Sequence, residues 1–134
     1  MTNQALLPEG WPRPKGYANG VAAHRPPGSS SPARSAGTPE GVLRQRRLRR
    51  RRRARRCENV VAVLRAGGAK PEHIVRMTWY VTSKREYLAA GREIGAAFRE
   101  IIGRYDIAMT AVEVTALIED RAKVEIEVTA VVPD

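Results

Sequence analysis

Cysteine is nearly missing from this chain. Its 134 residues include one, Cys57, which excludes an intrachain disulfide framework and a multi-cysteine zinc site. Histidine is almost as scarce, and His24 and His73 have no partner at metal-ligand spacing. No apolar run approaches the roughly 20 residues that cross a bilayer. The opening MTNQALLPEGWPRPKG lacks a basic start followed by an apolar stretch, so no secretory signal is expected. There is no Gly-rich phosphate loop, no nucleophile–base pair and no metal motif. These absences predict a soluble cytoplasmic protein away from membranes.

Acidic residues are missing from one stretch in particular. Residues 24–57 hold twelve arginines, no lysine and the single acid Glu40. The other hundred residues hold twelve bases against thirteen acids. The formal charge of +10 is therefore the property of one segment. Charged residues at 28% and hydrophobic residues at 43% are ordinary for a globular protein, and the length suits a single domain.

Three zones follow along that domain. Residues 1–23 form a Pro/Gly-rich arm, with Pro8, Pro12 and Pro14 ahead of Gly16, Tyr17 and Gly20. Prolines rule out a helix there and favour extended chain or a short edge strand. Trp11 and Tyr17 are placed to anchor the arm. Residues 24–57 carry Pro, Ser, Gly and Ala with no aromatic and no apolar period, a composition typical of disorder. Ten arginines then crowd into residues 44–56. Arginine forms helices well, so the run can extend the helix that follows, against repulsion between neighbouring like charges.

Residues 58–134 read as the globular core. Val60, Val61 and Leu64 share a helical face, and Gly67-Gly68 provides a stop. Val75, Met77, Trp79 and Val81 alternate with Arg76, Thr78 and Tyr80, which predicts a half-buried strand. Ser83 and Glu86 have capping-box spacing. Leu88, Ile94, Phe98 and Ile101 continue at helical spacing up to Gly103. Two strands are then expected, MTAVEVTALI and KVEIEVTAVV, joined by a short hairpin connection at Glu119-Asp120-Arg121. The order predicts an α+β domain with two helices on one face of a sheet. Three strands make a thin core, so strands from the N-terminal third are expected to complete it.

Chemistry has few candidates. Glu125 and Glu127, with Glu113 on the preceding strand, form the one carboxylate cluster. On alternation alone this is a solvated sheet face; the functional reading is a carboxylate that lines a cleft and handles a proton. The arginine run would bind phosphates with steep salt dependence, but residues 24–57 contain no stacking aromatic. Specific nucleic-acid recognition is therefore not expected from it.

Three stretches, ALLPEGWPRPKGYANGVAA, GAKPEHIVRMTWYVTSKREYLAAGREIGAAFREIIG and MTAVEVTALIEDRAKVEIEVTAVV, closely resemble the RidA/YjgF family of enamine/imine deaminases. The likeness covers residues 5–23 and 58–133. It implies a chorismate-mutase-like fold, a homotrimer with clefts between subunits, and cofactor-free hydrolysis of small enamines and imines to keto products and ammonia. It assigns Glu125 as the acid that positions the attacking water and Tyr17 as an aromatic of the cleft. Met109 stands where active members carry an arginine that clamps the substrate carboxylate. Methionine has no charge and no donor, so the implied activity is weak or altered. A non-catalytic ligand-binding member and an RNA-associated protein using residues 44–56 are the alternatives.

Residues 24–57 do not resemble the family, whose members carry a hairpin there. Their alphabet is the one a GC-rich gene gives when read out of frame. Residues 27–39, PGSSSPARSAGTP, can be encoded so that a one-base shift reads AWFFVAGQVGWDA, the family's wording. Written as it stands, the chain is expected to lack the hairpin strands. The strand faces of residues 108–118 and 122–132, which the likeness buries against neighbouring subunits, are then expected to assemble poorly.

Overall fold

A computed structural model describes residues 3–23, 33–39, 51–103 and 106–133. Six strands form one sheet: β1 (Asn3–Leu6), β2 (Gly20–Ala23), β3 (Ala33–Pro39), β4 (Ile74–Val81), β5 (Ala108–Glu113) and β6 (Val124–Val131). Their spatial order is β1-β2-β3-β6-β4-β5. Every pairing is antiparallel except β4 with β5, which is parallel. Helices α1 (Arg51–Ala66), α2 (Lys84–Ala89) and α3 (Gly91–Ile101) complete the α+β fold, with a short 3-10 turn at Pro71–His73.

Helix α1 buries Cys57, Val60, Val61, Val63 and Leu64, a stripe at helical spacing that includes the expected face. Its described residues include the end of the arginine run, from Arg51. It ends in a Schellman motif: the Ala69 N–H donates to the Leu64 carbonyl at 2.8 Å and the Gly68 N–H to that of Arg65 at 2.9 Å. Gly68 takes the left-handed φ of 71° that this cap needs. At Gly67 a Cβ would stand 2.7 Å from a Leu6 methyl, so a side chain there would make Leu6 shift.

β6 alternates as its sequence predicts, with Val124, Ile126, Val128 and Ala130 buried beneath the helices. β4 keeps the pattern from Met77 to Val81, but Val75 is exposed and Ile74 is fully buried instead. The cause is a register shift between Ile74 and Arg76 against β6. A bulge of one residue turns the next side chain to the opposite face.

The predicted second helix is two segments, broken at Ala90. Half of the expected capping box is present: the Glu86 N–H donates to Ser83 Oγ at 3.2 Å. The Glu86 carboxylate does not reach back. It accepts from Lys123 Nζ at 2.7 and 2.8 Å, a charged donor that outbids a backbone amide.

The hairpin expected at Glu119-Asp120-Arg121 is not formed. β5 stops at Glu113 rather than running to Ile118, and it lies beside β4, two places from β6 in the sheet. Because β4 and β5 are parallel, they need a crossover, and α2 with α3 supplies it. The chain from 114 to 123 then crosses past β4 to enter the sheet between β4 and β3.

The basic segment also departs from expectation. Ala33–Pro39 is a strand, paired with β2 from Gly20↔Ala36 to Ala22↔Arg34 and with β6 from Ala33↔Val131 to Pro39↔Glu125. The hairpin is present as backbone although its wording is absent. β2 and β6 each offer an unpaired edge, and small residues with free amides can satisfy both through main-chain bonds alone. The expected disorder at residues 24–32 and 40–50 lies outside the described residues.

Candidate functional site

The sheet has one face under the helices and one face free of them. Directly paired residues share a face, so register places each candidate. Glu125 lies between Pro39 on β3 and Tyr80 on β4, and Tyr80 in turn pairs with Val112 on β5. Glu127 lies between Gly37 and Thr78, and Thr78 pairs with Thr110. Both rows occupy the helix-free face. Glu125 is half-buried, Glu127 is exposed and Thr78 is buried. A half-buried carboxylate flanked by a phenol and backbone can hold a water and exchange a proton with it.

Met109 is not beside Glu125. It pairs with Met77, which pairs with Val128, and that row belongs to the helix-covered face. Met109 is nonetheless 43% exposed, because β5 is the edge strand and all six of its residues are exposed. β5 and β6 are separated by β4, so their backbones stand roughly 10 Å apart. Tyr17, 58% exposed, lies in the connection between β1 and β2, toward the opposite edge. Within one chain the three candidate residues are thus spread across the sheet.

The carboxylate cluster divides as well. Glu113 shares a row with Val81, and its Oε1 accepts the Lys84 N–H at 3.0 Å. It holds the start of α2 in place and leaves Glu125 and Glu127 as the open-face pair. Tyr80 and Thr78, the neighbours of that pair, were not singled out by sequence. The signal was there in the polar half of the β4 alternation, but only register shows which polar residues stand beside Glu125.

Other groups are set aside by their surroundings. Burial pushes the Cys57 thiol up to about 11, against the pull of Arg56, which suppresses thiolate chemistry near neutral pH. His73 Nδ1 accepts the Lys70 N–H at 3.1 Å, and its Nε2 is 3.7 Å from Glu72, a local turn arrangement. Among the described residues no group of three or more His, Cys, Asp or Glu side chains is placed to hold a metal ion. No described helix is long and apolar enough to cross a membrane.

A mixed sheet with helices on one face and carboxylates on the other defines an α+β protein of the chorismate-mutase-like kind. Residues 38–132 match the family described as Endoribonuclease L-PSP, and the chain belongs to that family, which includes the YjgF and RidA proteins. The match begins within the basic segment and passes over the N-terminal arm. No curated protein sequence matches the chain. Among solved structures, YjgF from E. coli is 24% identical, with 96% of this chain and 98% of that one covered and a TM-score of 0.68. E. coli TdcF with bound serine is 23% identical, covering 97% and 99%, with a TM-score of 0.71. A YjgF/YER057c/UK114 family member from Mycobacterium tuberculosis is 23% identical, covering 98% and 100%, with a TM-score of 0.65. At these identities the likeness establishes the fold.

Proposed function

We propose that this chain is a hydrolase of small enamines and imines, with Glu125 as its proton-handling group and with weak activity on substrates that carry a carboxylate. The observation that carries the reading is the setting of Glu125: a half-buried carboxylate on the helix-free face, beside Tyr80, in the position that family likeness gives to the acid. Water adds to the C=N carbon of the imine while Glu125 takes one of its protons. That proton passes to nitrogen to give a carbinolamine; its hydroxyl proton then moves through Glu125 to the amine, the C–N bond breaks, and a carbonyl product and ammonia leave. No redox step occurs.

With the apolar wording of the hairpin restored, the reading includes a homotrimer. β5 presents Met109 and Val112 as exposed apolar residues on a sheet edge, a surface that a second copy would cover. Tyr17 and Met109 lie toward opposite edges, so a neighbouring copy is also the route by which they join one cleft. TdcF with bound serine supports a small polar molecule as the type of ligand this fold accepts. Met109 supplies no cation, so a neutral imine suits the site better than an amino-acid-derived one.

The test is ammonia release from a neutral imine and from enzymatically generated 2-aminoacrylate. Glu125→Gln is expected to abolish release from both while leaving the circular dichroism spectrum unchanged. Release that survives in Glu125→Gln would take the proton-handling role away from Glu125, and no release from the unaltered chain would leave it as a ligand-binding member of the family.

A further inference from the structure

One row of the sheet brings three different chemistries together on the helix-free face. Glu125 on β6 pairs with Tyr80 on β4, and Tyr80 pairs with Val112 on β5. Neighbouring strands stand about 4.8 Å apart, so the row spans roughly 10 Å from the carboxylate strand to the valine strand. Opposed side chains on an antiparallel pair start within about 5.5 Å of each other. Glu125 and Tyr80 are half-buried, and Val112 is 39% exposed.

A carboxylate only accepts, whereas a phenol has a proton to donate. No hydrogen bond joins Tyr80 to Glu125. Among the described residues the Tyr80 hydroxyl has no partner, and it is open to solvent. Lys123, two residues ahead of Glu125, is held by Glu86 at 2.7 Å. Arg76 lies two rows away, in the row of Thr129 and Ala108, roughly 13 Å along β4. The row itself therefore offers a base, a neutral donor and an apolar wall.

We infer that Tyr80 is the substrate-recognition residue of this face. Its hydroxyl donates to the nitrogen of a small neutral C=N compound whose alkyl or aryl substituent packs on Val112. That placement turns the C=N carbon toward the water held by Glu125. Electron density moves onto nitrogen as water adds, so a donor fixed there is worth more in the transition state than in the bound substrate. Tyr80 keeps its proton, and the transfers through Glu125 are unchanged. The substrate class is then the imines of simple ketones and aldehydes. For the reaction this rests on the hydrolase reading above; for binding it rests on the row alone.

A ketone oxygen can occupy the place of the imine nitrogen, so cyclohexanone is the probe. Methylenecyclohexane, of nearly the same shape without an acceptor, is its control. The full chain is labelled with carbon-13 at the valine methyl groups, and Val112→Thr assigns the Val112 signals. Cyclohexanone should move them in a saturable way, and methylenecyclohexane should bind about tenfold more weakly, the worth of one hydrogen bond. In Tyr80→Phe the two probes should bind equally, and ammonia release from a neutral imine should fall about tenfold. In Glu125→Gln the preference for cyclohexanone should persist although release is lost. The inference is overturned by unmoved Val112 signals, by equal binding of the probes to the unaltered chain, by a preference that persists in Tyr80→Phe, or by release that continues at the same rate in Tyr80→Phe. A Tyr80-dependent preference in a chain that releases no ammonia would overturn the hydrolase reading and leave Tyr80 as the donor of a binding site.

Discussion

β6 has two neighbours, and they could hardly be less alike. β4 brings Ile74, Met77, Trp79 and Val81 into the core. β3 brings the letters ARSAGTP, none of them a large apolar residue. Both strands pair with β6 over seven rows. Main-chain hydrogen bonds are indifferent to side chains, so pairing alone sets topology. Burial of apolar area sets stability. The two sides of β6 separate those contributions within one sheet.

The comparison can be broken at its weak side. Replacing residues 27–39 with AWFFVAGQVGWDA, the reading one base out of frame, would return large apolar groups to β3 and the residues before it. On β3 these are Ser35→Val and Gly37→Trp, in the rows of Thr129 and Glu127 on the helix-free face; at about 1.5–3 kcal/mol for each group that becomes covered there, the gain in unfolding free energy should reach about 3 kcal/mol by urea titration. Equal stability of the two chains would show that β3 needs no side chains. Determining the gene sequence across codons 24–57 asks in parallel which reading the cell uses.

The strong side is expected to be nearly as sensitive in the opposite direction. Trp79→Ala should cost about 3–5 kcal/mol, whereas Ser35→Ala on β3 should stay within about 0.5 kcal/mol. Comparable urea midpoints for the two variants would erase the distinction drawn between the strands.

A smaller effect sharpens the boundary between the two regions, where Cys57 is buried in α1. Its thiol is raised from 9.0 to about 11 by burial. The unfolded chain releases this proton first as pH rises, so unfolding becomes easier between pH 9 and about 11. The stability lost over that window is on the order of 2–3 kcal/mol. Cys57→Ala should start from a lower stability and show a flatter decline over the same window. Parallel slopes for the two proteins would place Cys57 in a wetter setting than α1 provides.

Much of this was legible in the sequence where one face of an element is buried. The α1 stripe, the alternation of β6 and the Ser83 cap each follow from local chemistry. The connection at Glu119-Asp120-Arg121 was misread because turn residues indicate that the chain bends, not which strand it joins. The bulge at Val75 was hidden because Ile and Val are equally apolar. β3 was missed because its pairing is supplied by its neighbours rather than by its own residues. At the site, Glu125 could be placed on the polar face of its strand from alternation. The separation of Met109 and Glu113 onto the other face depends on the parallel register of β5, which no local pattern encodes.

Met109 gives the most direct test of the functional account. A lost charged hydrogen bond costs about 1.5–3 kcal/mol, which corresponds to roughly ten- to hundredfold in rate. Ammonia and keto-acid release from enzymatically generated 2-aminoacrylate should therefore rise by that factor in Met109→Arg, with little change on a neutral imine. If Met109→Arg gains nothing on 2-aminoacrylate while the unaltered chain already turns it over as fast as an arginine-bearing member of the family, the absence of a clamp is not what limits this protein.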